Sequence, residues 1–87
     1  MIATNHAKNR WTQRFPELDM ATEYAASKGI GKGPLYQRAT SFISESNFKK
    51  DFRNGGTHYM LISKRSGAVF VMDSVEIVIT ILKIPLN

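Results

Sequence analysis

The last third of the chain consists of short apolar runs separated by tight turn residues. These runs occupy residues 58–63, 68–72 and 75–84. They are rich in β-branched and aromatic residues, which is typical of strands. The connections, Lys64–Gly67 and Asp73–Ser74, are too short for a parallel crossover, so the pattern predicts an antiparallel meander. The chain before residue 57 must then supply the cover for this sheet.

Apolar residues at helical spacing precede the meander. A first helix is predicted from Asn5, as N-cap, to about Phe15, where the following Pro16 disfavours helical backbone; residues 1–4 are expected to be a frayed tail. A second helix is predicted from Leu18 to Gly29, with Asp19 as its N-cap.

The second helix has small residues on one face, Ala21 and Ala25 beside Tyr24, which predicts a packing role. A third, amphipathic helix is predicted to begin at Pro34 and to end at about Ser44. The predicted fold class is therefore α+β, with two or three N-terminal helices on an antiparallel meander of three to four strands.

The final strand is apolar on both faces. Ile77, Ile79 and Ile81 alternate with a second set, namely Val78, Thr80, Leu82 and Ile84. Both faces are therefore expected to be covered, one by helices and the other by more chain or by a second subunit, which allows a homodimer.

Composition limits the kind of protein. With 87 residues and 43% hydrophobic residues, one domain is expected over 1–87, with a helical part at about 5–53 and a sheet part at about 57–84. Without cysteine, neither a disulfide nor a thiolate metal site can form, and neither His6 nor His58 has ligands at metal spacing. No metal or cofactor is expected. The longest apolar run, Ile77 to Leu82, is too short to span a membrane, so a soluble cytoplasmic protein is expected.

Positive charge narrows the choice of partner. The net charge is +5, and eleven of the twelve Lys and Arg residues lie between Lys8 and Arg65. Such a balance favours an acidic partner, most commonly nucleic acid. The residues predicted to bind it are Lys32, Arg38, Lys49, Lys50 and Arg53. The glycines around Lys32 lack the spacing of a nucleotide-binding loop; they suit either close approach to an RNA phosphate or a simple hinge.

The first helix carries a polar row beside its aromatic row. His6, Arg10 and Arg14 repeat every four residues, and so do Ala7, Trp11 and Phe15, which lie about 100° away around the helix. Burying the aromatic row leaves the polar row at the margin of the core, where a polar site can form. The alternative is that these are solvated surface charges. Thr80 also allows two interpretations. It is there either because threonine favours strands or because its hydroxyl faces a cleft.

A helix with His6-x-x-x-Arg10-x-x-x-Arg14, followed by helices and a meander that ends in 75–82 with Thr80, resembles the small barnase/EndoU/colicin/RelE class of ribonuclease folds. The resemblance implies metal-independent RNA cleavage, in which the ribose 2′-hydroxyl attacks the adjacent phosphate. It also implies RNA as partner and, for a toxin-like ribonuclease, an inhibitor or host-protein partner.

This chemistry requires proton transfer and cations around the phosphate. We expect an imidazole, His6 or His58, to move the proton, and the arginines of the first helix to hold phosphate oxygens. Tyr59 and Thr80 would add hydroxyl contacts. If His58 lies elsewhere, the acid must be another group, such as Tyr59 or Lys32. The competing hypothesis is a non-enzymatic inhibitor or adaptor that binds an acidic protein surface.

Overall fold

The meander is the centre of the molecule in the computed structural model, which describes residues 1–31, 33–43, 58–73 and 76–86. These residues form three helices and a five-stranded mixed sheet. The helices are α1 (Asn5–Arg14), α2 (Met20–Ala25) and α3 (Pro34–Ser41), and the strands are β1 (Ile2–Ala3), β2 (Lys28–Gly29), β3 (Tyr59–Ser63), β4 (Ala68–Met72) and β5 (Ile77–Lys83). The α+β class is confirmed.

The predicted strands β3, β4 and β5 are antiparallel neighbours, within a sheet of order β1-β5-β4-β3-β2. The turn between β3 and β4 closes where the Gly67 amide donates to the Ser63 carbonyl at 2.9 Å. Gly67 has a φ of 79°, a conformation that suits a residue without a Cβ atom. The meander is thus confirmed, with the turn where the sequence predicted it.

Two short edge strands correct the sequence prediction. Residues 2 and 3, expected to be a frayed tail, instead pair in parallel with Ile77 and Val78 of β5. The second helix ends at Ala25, and residues 28 and 29 pair with Ile62 and Leu61 of β3. A two-residue strand has too little alternation to be recognised in a sequence, because its pairing depends on a partner distant in the chain. The sheet therefore has five strands rather than three to four.

Helix boundaries follow their caps. Thr4, not Asn5, is the N-cap of α1, because its Oγ1 accepts from the Ala7 amide at 3.1 Å. Asp19 caps α2 as predicted, accepting from the Thr22 amide at 2.9 Å. The third helix begins at Pro34, as predicted, but it ends at Ser41 rather than at about Ser44.

Each face of the sheet carries its own hydrophobic core, which confirms that β5 is covered on both sides. Helices α1 and α2 lie on one face, over a cluster made of Ala7, Trp11, Phe15, Ala68, Phe70, Met72, Val78 and Ile81. Helix α3 lies on the other face, over Ala39, Ile43, Met60, Ile62, Val69, Val71, Leu82 and Ile84. The cover on the second face thus comes from the same chain.

A β-bulge in β5 corrects the predicted alternation. Val71 pairs with Thr80, whereas the next residue of β4, Met72, pairs with Val78. Ile79 is therefore an extra residue on β5, and the strand changes phase at this position. As a result Val78 and Ile81, three residues apart, both lie in the cluster beneath α1.

A buried carboxylate ties α2 to the turn between β3 and β4. Glu23 is only 1% exposed, although the sequence pattern had assigned the packing face of this helix to Ala21 and Ala25, which are exposed. Its Oε1 accepts from Ser63 Oγ at 2.9 Å, and its Oε2 lies 2.7 Å from Nη2 of Arg65. Burial acts to raise the pKa of Glu23, but hydrogen bonds from Arg65, Ser66 and Ser63 outweigh it and lower the pKa below its usual 4.5.

The lowered pKa of Glu23 gives stability a defined pH dependence. The ionised carboxylate stabilises the fold fully above the usual pKa of 4.5, and this contribution is lost as the pH falls through the lower pKa of the folded state. We expect Glu23→Gln to cost about 2 kcal/mol at pH 7. Urea denaturation from pH 7 to pH 3 should show a shallower acid dependence in Glu23→Gln than in an exposed control, Glu17→Gln. Parallel profiles for wild type and Glu23→Gln would contradict this account.

The turn at Gly67 should not tolerate a side chain. A Cβ atom at this position would collide with the backbone carbonyl oxygen of Ile84, and its φ is positive. We expect Gly67→Ala to destabilise the fold by about 2–3 kcal/mol. Gly29→Ala is the matched control, because no atom lies within 4 Å of its added Cβ. The measurement is the midpoint of thermal or urea unfolding of the Gly67→Ala and Gly29→Ala variants. Equal midpoints for the two variants would refute the steric argument.

Candidate functional site

The α1–β5 margin is defined by His6, Arg10, Arg14 and Thr80. It lies where the edge of β5, among the described residues, is no longer paired to another strand. The two residues of β1 pair only with Ile77 and Val78. Beyond them, the Thr4 hydroxyl donates to the carbonyl of Ile79 at 3.1 Å, and Nη1 of Arg14 donates to the carbonyl of Ile81. Side chains of the first helical segment thus replace a neighbouring strand.

Packing of the aromatic row fixes the orientation of α1. The Trp11 ring stacks on Phe15 and on Phe70, with centroid distances of 4.7 and 5.7 Å. Its indole Nε1 donates to the carbonyl of Leu18 at 2.8 Å. Because the His/Arg row lies about 100° around the helix from this buried row, it faces sideways along β5. This is the placement that the four-residue spacing predicted.

His6 and Thr80 meet directly at this margin. Nε2 of His6 lies 3.1 Å from Oγ1 of Thr80, and the tautomer decides which atom donates. Thr80 is 3% exposed, whereas the His6 side chain is exposed. The buried hydroxyl therefore orients an imidazole that remains open to solvent. The bulge at the preceding residue, Ile79, is the kind of irregularity that redirects a strand side chain.

The two arginines take different positions. Arg14 is half-buried and uses one nitrogen on β5, which leaves most of its guanidinium N–H groups for another acceptor. Arg10 donates to Oε1 of Gln13 at 2.8 Å and has no contact with Thr80 among the hydrogen bonds of the described residues. The structure therefore brings His6 and Thr80 into contact, while Arg14 contacts β5 at Ile81, farther along the strand, and Arg10 lies between His6 and Arg14 in the same row.

Lys83 is a cation at this site that sequence reasoning missed. Its Nζ lies 3.4 Å from the carbonyl oxygen of Arg14 and 5.2 Å from the centroid of the Phe15 ring. The only available signal was its position two residues after Ile81, on the same face of a strand. That signal depends on knowing that the bulge turns Ile81 toward α1.

The other candidate residues lie elsewhere. Tyr59 pairs with Met72, which pairs with Val78, so Tyr59 is two strands away from β5, about 10 Å. Burial, together with the charges of Glu76, Tyr24 and Asp73, raises the pKa of Tyr59, so its phenol stays protonated at neutral pH. His58 immediately precedes β3.

Of the five predicted nucleic-acid-binding residues, the structure describes Arg38, which lies away from this margin. Arg38 lies on α3, on the opposite side of the sheet, and donates to the carbonyl of Pro85 at 2.6 Å. Four further predictions fall outside the described residues, namely Lys32, Lys49, Lys50 and Arg53.

The margin carries positive charge from Arg10, Arg14 and the adjoining Lys83. Within the described ranges, neither arginine of α1 nor Lys83 pairs with a carboxylate, whereas Arg65 pairs with Glu23. The same ranges contain no group of His, Asp and Glu side chains that could hold a metal ion. The margin offers an imidazole, a hydroxyl and cationic donors. These groups can bind an anionic ligand and transfer a proton to or from it.

No protein-family model matches the chain, and no curated protein or solved structure is similar enough to it to count as a match. In the described part of the chain, no helix has the length and apolar character needed to cross a membrane. The function must therefore be argued from the α1–β5 margin itself.

Thr4 should hold this margin together. It caps α1 and also donates to the carbonyl of Ile79, so Thr4→Ala removes both hydrogen bonds. We expect a loss of about 1–2 kcal/mol in the free energy of unfolding, because the helix end and the strand edge each lose a partner. Thr4→Ser keeps the hydroxyl and should stay close to wild type. Urea denaturation of the three proteins is the measurement, and equal losses in both variants would show that the hydroxyl is not responsible.

Proposed function

We propose that the chain is a small basic domain that binds RNA at the α1–β5 margin and cleaves it without a metal ion. The observation that carries this proposal is the 3.1 Å contact between His6 Nε2 and Thr80 Oγ1, which orients an exposed imidazole. Arg14 lies farther along the same strand edge with unused donors. The net charge of +5 supports an anionic partner. We also propose that the RNA substrate is cytoplasmic.

The proposed reaction is an internal transesterification. The 2′-oxygen forms a bond to phosphorus while the bond from phosphorus to the 5′-oxygen breaks, which yields a cyclic phosphate and a free 5′-hydroxyl. Nδ1 of His6 accepts the proton of the 2′-hydroxyl, while Nε2–H donates to Oγ1 of Thr80. Arg14 and Arg10 supply cationic donors for the phosphate oxygens as negative charge builds up. Thr80 acts as a positioning residue that fixes the imidazole.

The leaving 5′-oxygen also needs a proton. Tyr59 stays protonated, but it lies about 10 Å from β5, too far for direct transfer. The margin is open to solvent at His6, so water is the proton donor in this proposal. A site with one positioned proton carrier should be slower than a site with two, by about 100-fold or more.

Loss of His6 should slow cleavage strongly while leaving the fold intact. We expect His6→Ala to reduce the cleavage rate of a structured RNA in EDTA about 100-fold, because the positioned base is gone. The double variant His6→Ala, Arg10→Ala should be at least as slow. Lys8→Ala is the control, because Lys8 is an exposed cation of the same helix. Time courses of a purified, end-labelled RNA give the rates.

Two outcomes would remove the catalytic assignment. One is equal cleavage by wild type and the His6 variants, which would point to a contaminating nuclease. The other is no cleavage by any of the proteins while circular dichroism shows that all are folded.

A second candidate function is a non-enzymatic domain that binds an acidic protein surface. The observation in its favour is that Arg14 donates to the carbonyl of Ile81, so a structural role already accounts for part of the polar row. Salt dependence separates the candidates, because phosphate contacts make log K fall linearly with log salt concentration. Capture of one stoichiometric protein, an inhibitor or a host partner, without bound RNA would favour the second candidate.

A further inference from the structure

We infer that a hollow at the C-terminal end of α1 is a nucleotide subsite, which holds the base next to the phosphate bound at the α1–β5 margin. This inference rests on the proposed function. The hollow measures about 340 Å³ and is lined by Arg14, Phe15, Pro16, Glu17, Leu18 and Lys83. Its size is at the lower end of the range for small-molecule sites.

Two cations with unused donors line the hollow. Among the described residues, Arg14 and Lys83 contact backbone carbonyls, of Ile81 and of Arg14 respectively, and not carboxylates. Hydrogen bonds to carbonyls do not neutralise a positive charge, so the field of both cations remains. Glu17 is the acidic residue in the lining, which leaves a net positive wall. A polyanion is the ligand that this charge complements.

Apolar residues complete the lining of the hollow. Leu18 is 43% exposed, and the exposed Pro16 lies two residues before it. The Phe15 side chain is buried beneath them and fixes the position of Lys83 above its ring. Exposed apolar atoms beside cations match a nucleobase attached to its phosphate, because a base offers a flat apolar surface whatever its identity. The subsite is therefore expected to accept a base with little sequence preference.

Arg14 connects the hollow with the proposed reaction site, because it belongs both to the α1–β5 margin and to the lining of the hollow. His6 and Arg14 are eight residues apart on α1, which corresponds to about 12 Å along the helix axis. Thr80 and Lys83 are three residues apart on β5, which corresponds to about 10 Å along the strand. Helix and strand thus lead over similar distances from the imidazole to the hollow, so one RNA strand can follow the margin and place a neighbouring base there.

A second hollow on the molecule provides the comparison. It measures about 290 Å³ and is lined by Ala26, Lys28, Gly29, Ile62 and Lys64, at the β2 end of the sheet. It also contains lysines, but the sheet order puts β3 and β4 between β2 and the strand that carries Thr80. Lys28→Gln therefore removes one positive charge from a place that the proposed RNA path does not cross.

The test measures binding of a fluorescein-labelled, single-stranded 2′-O-methyl oligoribonucleotide, which cannot undergo attack by the 2′-oxygen. Fluorescence anisotropy in EDTA gives Kd for wild type, Lys83→Gln, Leu18→Ala and Lys28→Gln. A second oligonucleotide with abasic positions isolates the contribution of the bases. The Leu18→Ala change keeps the backbone carbonyl that accepts from Trp11, and circular dichroism melting confirms that each variant folds.

If the subsite exists, Lys83→Gln raises Kd more than Lys28→Gln does and lowers the log–log salt slope by about 0.7, the share of one phosphate contact on a single strand. Leu18→Ala raises Kd about fivefold, or about 1 kcal/mol, for the normal oligonucleotide and leaves Kd for the abasic one unchanged.

The failures are distinguishable. In the first case Lys83→Gln and Leu18→Ala both behave like Lys28→Gln, while wild type still binds RNA and His6→Ala still slows cleavage about 100-fold. The subsite is then wrong and the proposed function stands. If wild type binds neither oligonucleotide, both are wrong.

Discussion

The structure depends on how the unpaired edge of β5 is satisfied. A strand edge left open exposes carbonyl and amide groups that invite pairing with other chains. Here β1 covers two residues, and the hydroxyl of Thr4 and the guanidinium of Arg14 reach the carbonyls farther along. Both side chains come from the first helical segment, so closing the edge also fixes the helix against the strand.

This closure is what creates a candidate site. Because α1 must approach β5 closely enough for Thr4 and Arg14 to donate, His6 comes within 3.1 Å of the Thr80 hydroxyl. The same polar row therefore has a structural role and an available chemical one. Changes in Arg14 affect the strand edge and any bound anion together, so stability and binding must be measured separately at this position.

The two faces of the sheet contribute differently. The α3 face holds an apolar cluster, whereas the α1–α2 face combines an apolar cluster with the buried Glu23 carboxylate and the polar margin. A buried carboxylate is stable only with full hydrogen bonding, which Ser63 and Arg65 provide. The turn between β3 and β4 is thereby tied to α2. The α1–α2 face of the sheet is thus held by α1 at the β5 edge and by α2 at this turn.

The sequence by itself determined the meander, the cover on both faces and the side of α1 on which His6 and Arg14 lie, because each follows from local periodicity and short turns. It did not reveal β1, β2, the burial of Glu23 or the role of Lys83. The two edge strands are too short for a periodic signal. The bulge at Ile79 changes which side chains of β5 lie on each face of the sheet, and no local sequence pattern indicates it. Only the tertiary structure decided these features, because pairing register and the partners of a buried charge are set by residues far apart in the chain.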